Sequence, residues 1–148
     1  MKLAQIQMHV TADKAANLRH AEDLLRSVRG ADMAILPEMF CCPYDNACFR
    51  AYGEPEGGPA YQMLSRTARE LNLWLVGGSL PELDGDKIYN TAYVFDPTGT
   101  CVARHRKMHL FDIDVQGGQS FRESATLSPG NDITLFDTPY GRIGLCIC

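Results

Sequence analysis

The sequence predicts an α/β domain, a sheet of mixed strand direction with helices covering one face. Three observations predict it. Strand-like and helix-like periodicities alternate up to Gly78, the pattern that builds parallel strands with helical crossovers. A four-residue turn, Asp96-Pro97-Thr98-Gly99, then joins two β-rich runs and requires an antiparallel pair inside that sheet. A chain of 148 residues with 45% hydrophobic and 22% charged side chains has an ordinary globular composition. That length buries about 68% of the unfolded surface as one domain.

Residues 2 to 8 alternate as a first strand. Leu18, Ala21, Leu24, Leu25 and Val28 then recur at helical spacing, with Thr11 or Asp13 as the cap and Gly30 as the stop. Met33-Ala34-Ile35-Leu36 is a short apolar run fitting a strand buried on both faces, and it ends at Pro37-Glu38. A loop over 39 to 58 leads to a second helix from about Pro59, where Met63, Leu64, Ala68 and Leu71 share a face. Leu73 to Gly78 reads as a third strand, Tyr89 to Phe95 and Thr100 to Arg106 as the hairpin. The stretch 107 to 130 reads as a long loop, of the kind more often functional than idle. A last hairpin follows, Ile133 to Phe136 and Arg142 to Cys148 around Thr138-Pro139-Tyr140-Gly141.

A net charge of -4 and a pI near 5.5 argue against nucleic acid as a partner, and the only basic cluster is Arg104-His105-Arg106-Lys107. No run approaches the roughly 18 apolar residues that span a bilayer, and no leader or signal peptide precedes the first strand. A cytoplasmic protein without a membrane partner is the expectation. The six Cys lie in apolar runs, so reduced, buried thiols are expected rather than disulfides.

Four residues are candidates for chemistry. Glu38 ends a buried strand among apolar neighbours, where loss of water raises a carboxyl group's proton affinity towards that of a general base; the competing reading is a strand end pointing into solvent. Lys107 and His105 share one face of an alternating strand, with Arg104 and Arg106 on the other. An inward Lys107 is a fixed positive charge suited to an oxyanion, an outward one a solvated edge charge. Glu123 sits in the long loop as a candidate second carboxylate to orient that Lys, and alone it means little. Cys148 ends an apolar run with no turn, cap or polar tail behind it. A nucleophilic thiol is often carried at such a strand tip, exposed by a sharp turn, so Cys148 is either a core-strand thiol or the nucleophile of half an enzyme.

In that strand Cys146 and Cys148 would share one face about 6.6 Å apart, with Cβ directions unsuited to a disulfide. Cys41, Cys42 and Cys48 with His105 and His109 lack the paired spacing of a zinc site, and no metal or organic cofactor is expected. A Cys-His pairing through either ring remains open, whereas Gly77-Gly78 and Gly117-Gly118 lack the residues of a phosphate loop.

These pieces occur in the order of the nitrilase superfamily of carbon-nitrogen hydrolases, which the chain resembles over nearly its whole length. Leu36-Pro37-Glu38 resembles that family's first Glu motif and Tyr89-Asn90-Thr91-Ala92 its central strand. Arg106 to Asp112 resembles its Lys motif, and Arg142 to Cys148 the approach to its nucleophile. The stretches His109 to Val115, Phe121-Arg122-Glu123-Ser124 and Leu127-Ser128-Pro129-Gly130 are similar to the omega-amidase branch.

The resemblance implies an αββα sandwich and a Glu-Lys-Cys set: Glu38 as general base, Lys107 as oxyanion cation, Glu123 as second carboxylate, Cys148 rather than Cys146 as nucleophile. Tyr44 matches an aromatic position lining the family's pocket, although a surface loop Tyr is a competing reading. The implied reaction is hydrolysis of an amide by water through a Cys thioester, on short dicarboxylic monoamides such as 2-oxoglutaramate or succinamate.

The family's nucleophile is followed by an aromatic and an acidic residue and about another hundred residues, so residues 1 to 148 are expected to be an incomplete domain, inactive alone. The complete protein is expected to be a homo-oligomer. The alternatives are a non-catalytic fragment docking on a full-length homologue, or another amidase or carbamoylase of the superfamily.

Overall fold

The computed structural model describes all 148 residues. In chain order the elements are β1 (Leu3–Gln5), α1 (Lys14–Ser27), β2 (Met33–Ile35), α2 (Asn46–Tyr52), α3 (Pro59–Leu71), β3 (Trp74–Val76) and β4 (Leu80–Asp84). They continue with β5 (Lys87–Phe95), β6 (Cys101–Arg106), β7 (Asp112–Asp114), β8 (Ser120–Arg122), a 3-10 turn (Glu123–Ala125), β9 (Thr134–Thr138) and β10 (Gly141–Leu145).

β5 organises the main sheet, because every residue after Lys87 in it is buried. β1, β2 and β3 run parallel, with Ala34 paired to Ala4 on one side and Leu75 on the other. β5 pairs antiparallel with β3 at Val76↔Val94, with β4 at Leu80↔Thr91 and with β6 at Thr91↔Arg106. Since β6 takes one edge of β5, β3 and β4 lie end to end along the other. Gly78 makes that junction, with φ +60, and a Cβ there would sit 2.2 Å from the Pro37 carbonyl oxygen. Only glycine accepts both the left-handed backbone and the close approach.

The helices α1 and α3 sit on one face of this mixed sheet, as its pattern predicts, whereas the short α2 packs through Phe49 against Ile88 and Met39 in a separate cluster. Asp13 caps α1 by accepting from the Ala16 N–H (2.9 Å), and Pro59 opens α3. Ala21 and Leu25 of α1 and Leu64 and Ala68 of α3 pack with Leu75, Tyr93 and Phe95 of the sheet into the largest core cluster. The opposite face carries Met33, Val76 and Val94, and the β9–β10 hairpin covers them with Phe136, Ile143 and Leu145. The layers are therefore helices, sheet and a second, two-stranded sheet.

The hairpin is tied to β6 by a polar contact. Thr134 donates its hydroxyl to the Arg104 carbonyl (3.2 Å), so its oxygen accepts from His105 Nδ1 at 3.0 Å. Burial pulls the His105 ring below its ordinary pKa, against a smaller opposing influence of Asp132. His105 and Lys107 are buried on one side while Arg104 and Arg106 reach Glu82 on the other, the alternation expected of this strand.

Four segments differ from the sequence expectations. α2 lies inside the predicted loop 39 to 58; it is seven residues long and buries only Phe49, too little to show a period. β4 contains Pro81, which masks it as a strand, although the Pro81 carbonyl accepts from Glu54 N–H (3.1 Å). The stretch 107 to 130 contains the β7–β8 pair, where Ile113 faces Phe121, each strand being three residues long. β10 stops at Leu145, paired with Thr134, rather than running to Cys148. No strand lies beside residues 146 to 148 to accept further ladder bonds, so the predicted alternation of Cys146 and Cys148 on one strand face does not hold.

Two outcomes follow from this packing. Gly78→Ala is expected to lower unfolding stability by about 3 kcal/mol in denaturant titrations, combining left-handed strain with the clash at Pro37. The depressed His105 pKa means that the unfolded chain binds its proton more readily than the folded one. Its contribution is complete above the unfolded value of about 6.5 and is lost as pH falls below it. Denaturant midpoints measured between pH 7 and 5 are therefore expected to fall less steeply in His105→Gln than in the parent chain.

Candidate active site

Glu38 stands just past β2, where Leu36 N–H still bonds the Val76 carbonyl (3.1 Å) before Pro37 ends the ladder. The next residue, Met39, is 1% exposed and has φ 53, a left-handed conformation unusual for a non-glycine side chain. Ser79 holds that turn from three sides. Its N–H donates to the Pro37 carbonyl (3.2 Å), its carbonyl accepts from Phe40 N–H (3.1 Å), and its hydroxyl accepts from Met39 N–H (3.0 Å). Strain of about 1–3 kcal/mol persists only where the surroundings over-determine it, and such places cluster at functional sites.

Lys107 follows β6 directly and is 1% exposed. Its N–H donates to the Asn90 carbonyl (2.8 Å) and its carbonyl accepts from Gly130 N–H (2.9 Å), so the backbone is fixed on both sides. The ammonium reaches Glu38 Oε1 (2.9 Å), Glu123 Oε2 (2.9 Å) and the Tyr44 hydroxyl (3.3 Å). Those contacts use all three of its N–H donors. Burial alone would release the proton; hydrogen bonds to Glu38 and Glu123, the Glu38 charge and Tyr44 outweigh it and raise the Lys107 pKa.

Glu123 begins the 3-10 turn and is fully buried. Its Oε2 also accepts from Phe111 N–H, and its Oε1 from the Tyr44 hydroxyl. Tyr44 is held against Phe49 and Phe121, with ring centroids 5.7 and 5.6 Å away. Burial, and next the bond to Glu123, push its hydroxyl above the ordinary pKa. The structure therefore brings Glu38, Lys107, Glu123 and Tyr44 into one contiguous cluster. Glu38 is neither in bulk solvent nor fully enclosed, its side chain being 28% exposed.

Cys148 lies beyond β10 and lines a cavity of about 290 Å³ that also includes Glu38, Gly78, Ser79, Ala92 and Phe136. It makes no hydrogen bond to Glu38 or Lys107 and has a left-handed φ of 68. Cys146 and Cys148 are exposed, contrary to the expectation that the Cys are buried; the other four are buried or half-buried, and all six are free. His105 is engaged by Thr134 and His109 is exposed; both line a second cavity with Cys146 and Cys148, and neither imidazole makes a hydrogen bond to Cys148. No three His, Cys, Asp or Glu side chains gather as a metal site, and no helix is long and apolar enough to cross a membrane.

Sequence reasoning missed Asn90, whose Nδ2 donates to Glu38 Oε1 at 2.7 Å, and the Gly78-Ser79 clamp. An Asn in the apolar run from Ile88 to Phe95 was a signal for the first. A glycine pair ending a strand without phosphate-loop companions was a signal for the second.

The model of the carbon-nitrogen hydrolase family matches residues 2–148. The chain belongs to that family. It is 48% identical over 149 residues to omega-amidase NIT2 of Danio rerio, and 50% identical to omega-amidase NIT2 of Bos taurus. Each alignment covers 99% of this chain and 54% of the relative. Among solved structures, Saccharomyces cerevisiae Nit3, a member of branch 10 of the nitrilase superfamily, matches with a TM-score of 0.86 and 38% identity. That match covers 100% of this chain and 55% of Nit3. The carbon-nitrogen hydrolase chain thus spans about half the length of these relatives.

Thiol chemistry gives a direct check of the site. Burial pushes the Cys41 and Cys42 thiols up to about 12, whereas Cys146 and Cys148 are exposed. Iodoacetamide near pH 8, read by peptide mass spectrometry, is expected to modify Cys146 and Cys148 first and to reach Cys41 and Cys42 only on unfolding.

Proposed function

We propose that this chain carries the Glu-Lys-Cys machinery of an amidase, and that it forms the N-terminal part, residues 1 to 148, of a longer αββα domain. The observation that carries the reading is the buried Lys107 ammonium between Glu38 and Glu123, beside a cavity shared by Glu38 and Cys148. Relatives about twice as long support the second statement.

An amide is a poor electrophile with a poor leaving group, so hydrolysis divides into two easier steps through a thioester. Glu38 accepts the Cys148 thiol proton as sulfur attacks the carbonyl carbon. Lys107 faces the oxyanion; of its three donors, the 3.3 Å contact to Tyr44 is the longest and the one the substrate oxygen takes over. Tyr44 thereby becomes a substrate-binding residue through its hydroxyl, which touches both Lys107 and Glu123. Glu38 returns the proton to the departing ammonia, then takes one from the attacking water, and the thioester is released as the acid. Glu123 keeps Lys107 charged and in place throughout.

The omega-amidase relatives support an amide as the substrate, and short dicarboxylic monoamides such as succinamate or 2-oxoglutaramate are the class we propose. Exposed Ile133 (84%) and Leu135 (58%) on the hairpin's outer face support a further protein layer there. In the full-length enzyme, Cys148→Ala and Lys107→Ala are each expected to lower ammonia release from succinamate by about 10³-fold or more, with circular dichroism unchanged. Parental rates in either variant would remove that residue from the reaction. Turnover of nitriles without amides would remove the omega-amidase reading.

A further inference from the structure

The two oxygens of Glu38 are not equivalent. Oε1 receives both Lys107 Nζ at 2.9 Å and Asn90 Nδ2 at 2.7 Å, whereas Oε2 has no hydrogen-bond partner. Asn90 is completely buried in the middle of β5, opposite Pro81 of β4. It is also bound to the site through its backbone, since its carbonyl accepts from Lys107 N–H at 2.8 Å. One residue therefore fixes the lysine by its main chain and the glutamate by its side chain.

Burying an Asn inside an apolar strand is costly unless its amide is used. Here only half of it is used, because Asn90 Oδ1 is buried without a partner. An amide kept at that disadvantage, in a strand otherwise suited to Ile, Val or Phe, is explained by what its Nδ2 does for Glu38. The cavity supplies the complementary half of the argument. Glu38, not Asn90 or Lys107, lines it together with Cys148. The anchored oxygen belongs to the buried cluster, which leaves the free oxygen as the one available to a group in the cavity.

We propose that Asn90 is a positioning residue that, with Lys107, anchors Oε1 of Glu38 and so makes Oε2 the oxygen that exchanges protons with Cys148, ammonia and water. The proposal deepens the amidase reading and rests on it. A donor on Oε1 prevents rotation of the carboxylate that would present the occupied oxygen to the thiol.

The charged and titratable groups around Glu38 are Lys107 after β6, Glu123 on the 3-10 turn and Tyr44 in the loop after β2, with Cys146 and Cys148 across the cavity. Asn90 is the neutral donor among them. Its removal leaves the formal charges unchanged, which separates it from a change of net charge.

Asn90→Leu and Asn90→Asp test the assignment. In the full-length enzyme, kcat for succinamate is expected to fall about tenfold or more in both variants while KM changes by less than about threefold, since Asn90 touches Glu38 and not the cavity. An unchanged kcat in a folded variant overturns the proposal, as does a loss that falls on KM alone. If Asn90→Leu does not fold, Asn90→Asp carries the measurement. A parent enzyme that hydrolyses no amide refutes the amidase reading while leaving the Asn90 contact to Glu38 in place.

Discussion

The structure depends on one buried ion cluster, the Lys107 ammonium held between Glu38 and Glu123. Lys107 is 1% exposed and Glu123 is fully buried, and a charge removed from water is tolerated only with partners in good geometry. Each group there has more than one. Lys107 has three acceptors, Glu38 Oε1 two donors, and Glu123 three donors shared between its oxygens. Replacing such a cluster with apolar side chains would generally be neutral or stabilising, so its presence in a core is better explained by chemistry than by stability.

The partners come from elements that the sheet brings together over long separations. Glu38 follows β2, Asn90 lies in β5, Lys107 follows β6, and Glu123 follows β8. β5 is the common support: it pairs with β3, β4 and β6, and its Asn90 touches both Glu38 and Lys107. Gly78 and Ser79 at the β3–β4 junction then fix the turn at Met39, so the strand layer sets both the height and the direction of Glu38. Tyr44 and Phe121 close the side nearest the β7–β8 pair.

What could be read from the sequence follows from which interactions are local. The helices over 14 to 27 and 59 to 71, the apolar strands and the Asp96-Pro97-Thr98-Gly99 hairpin have caps, periods and turn chemistry within a few residues of one another. The alternation that puts His105 and Lys107 on one face was legible for the same reason, but not that this face is the inward one, and Arg104 and Arg106 had to find Glu82, more than twenty residues away, in three dimensions. Glu38, Lys107 and Glu123 were candidates by type and by resemblance, but no local pattern states that their side chains meet. Asn90 and the Met39 turn were hidden because their meaning lies in a partner strand. The short α2, β7 and β8 lack enough residues to display a period, and the run to Cys148 looked like strand because periodicity cannot report where a pairing partner ends.

That last difference bears on how the site is assembled. The cluster around Lys107 belongs to the first sheet and its connecting loops, while Cys148 arrives on the second layer, after β10. Its placement depends on contacts between the layers: Phe136 against Met33, Val76 and Val94, and His105 against Thr134. The Glu38–Lys107–Glu123 cluster is therefore organised without the thiol: Cys148 lines the same cavity as Glu38 while making no hydrogen bond to it. In the proposed reaction the cavity between them is the space a carbonyl group enters, and the packing of hairpin on sheet sets the separation of Cys148 from Glu38. The geometry that the proposed reaction needs is thus a property of sheet-on-sheet packing, and a change at Phe136 or Thr134 would act on it by moving Cys148 relative to a cluster that stays where β5 holds it.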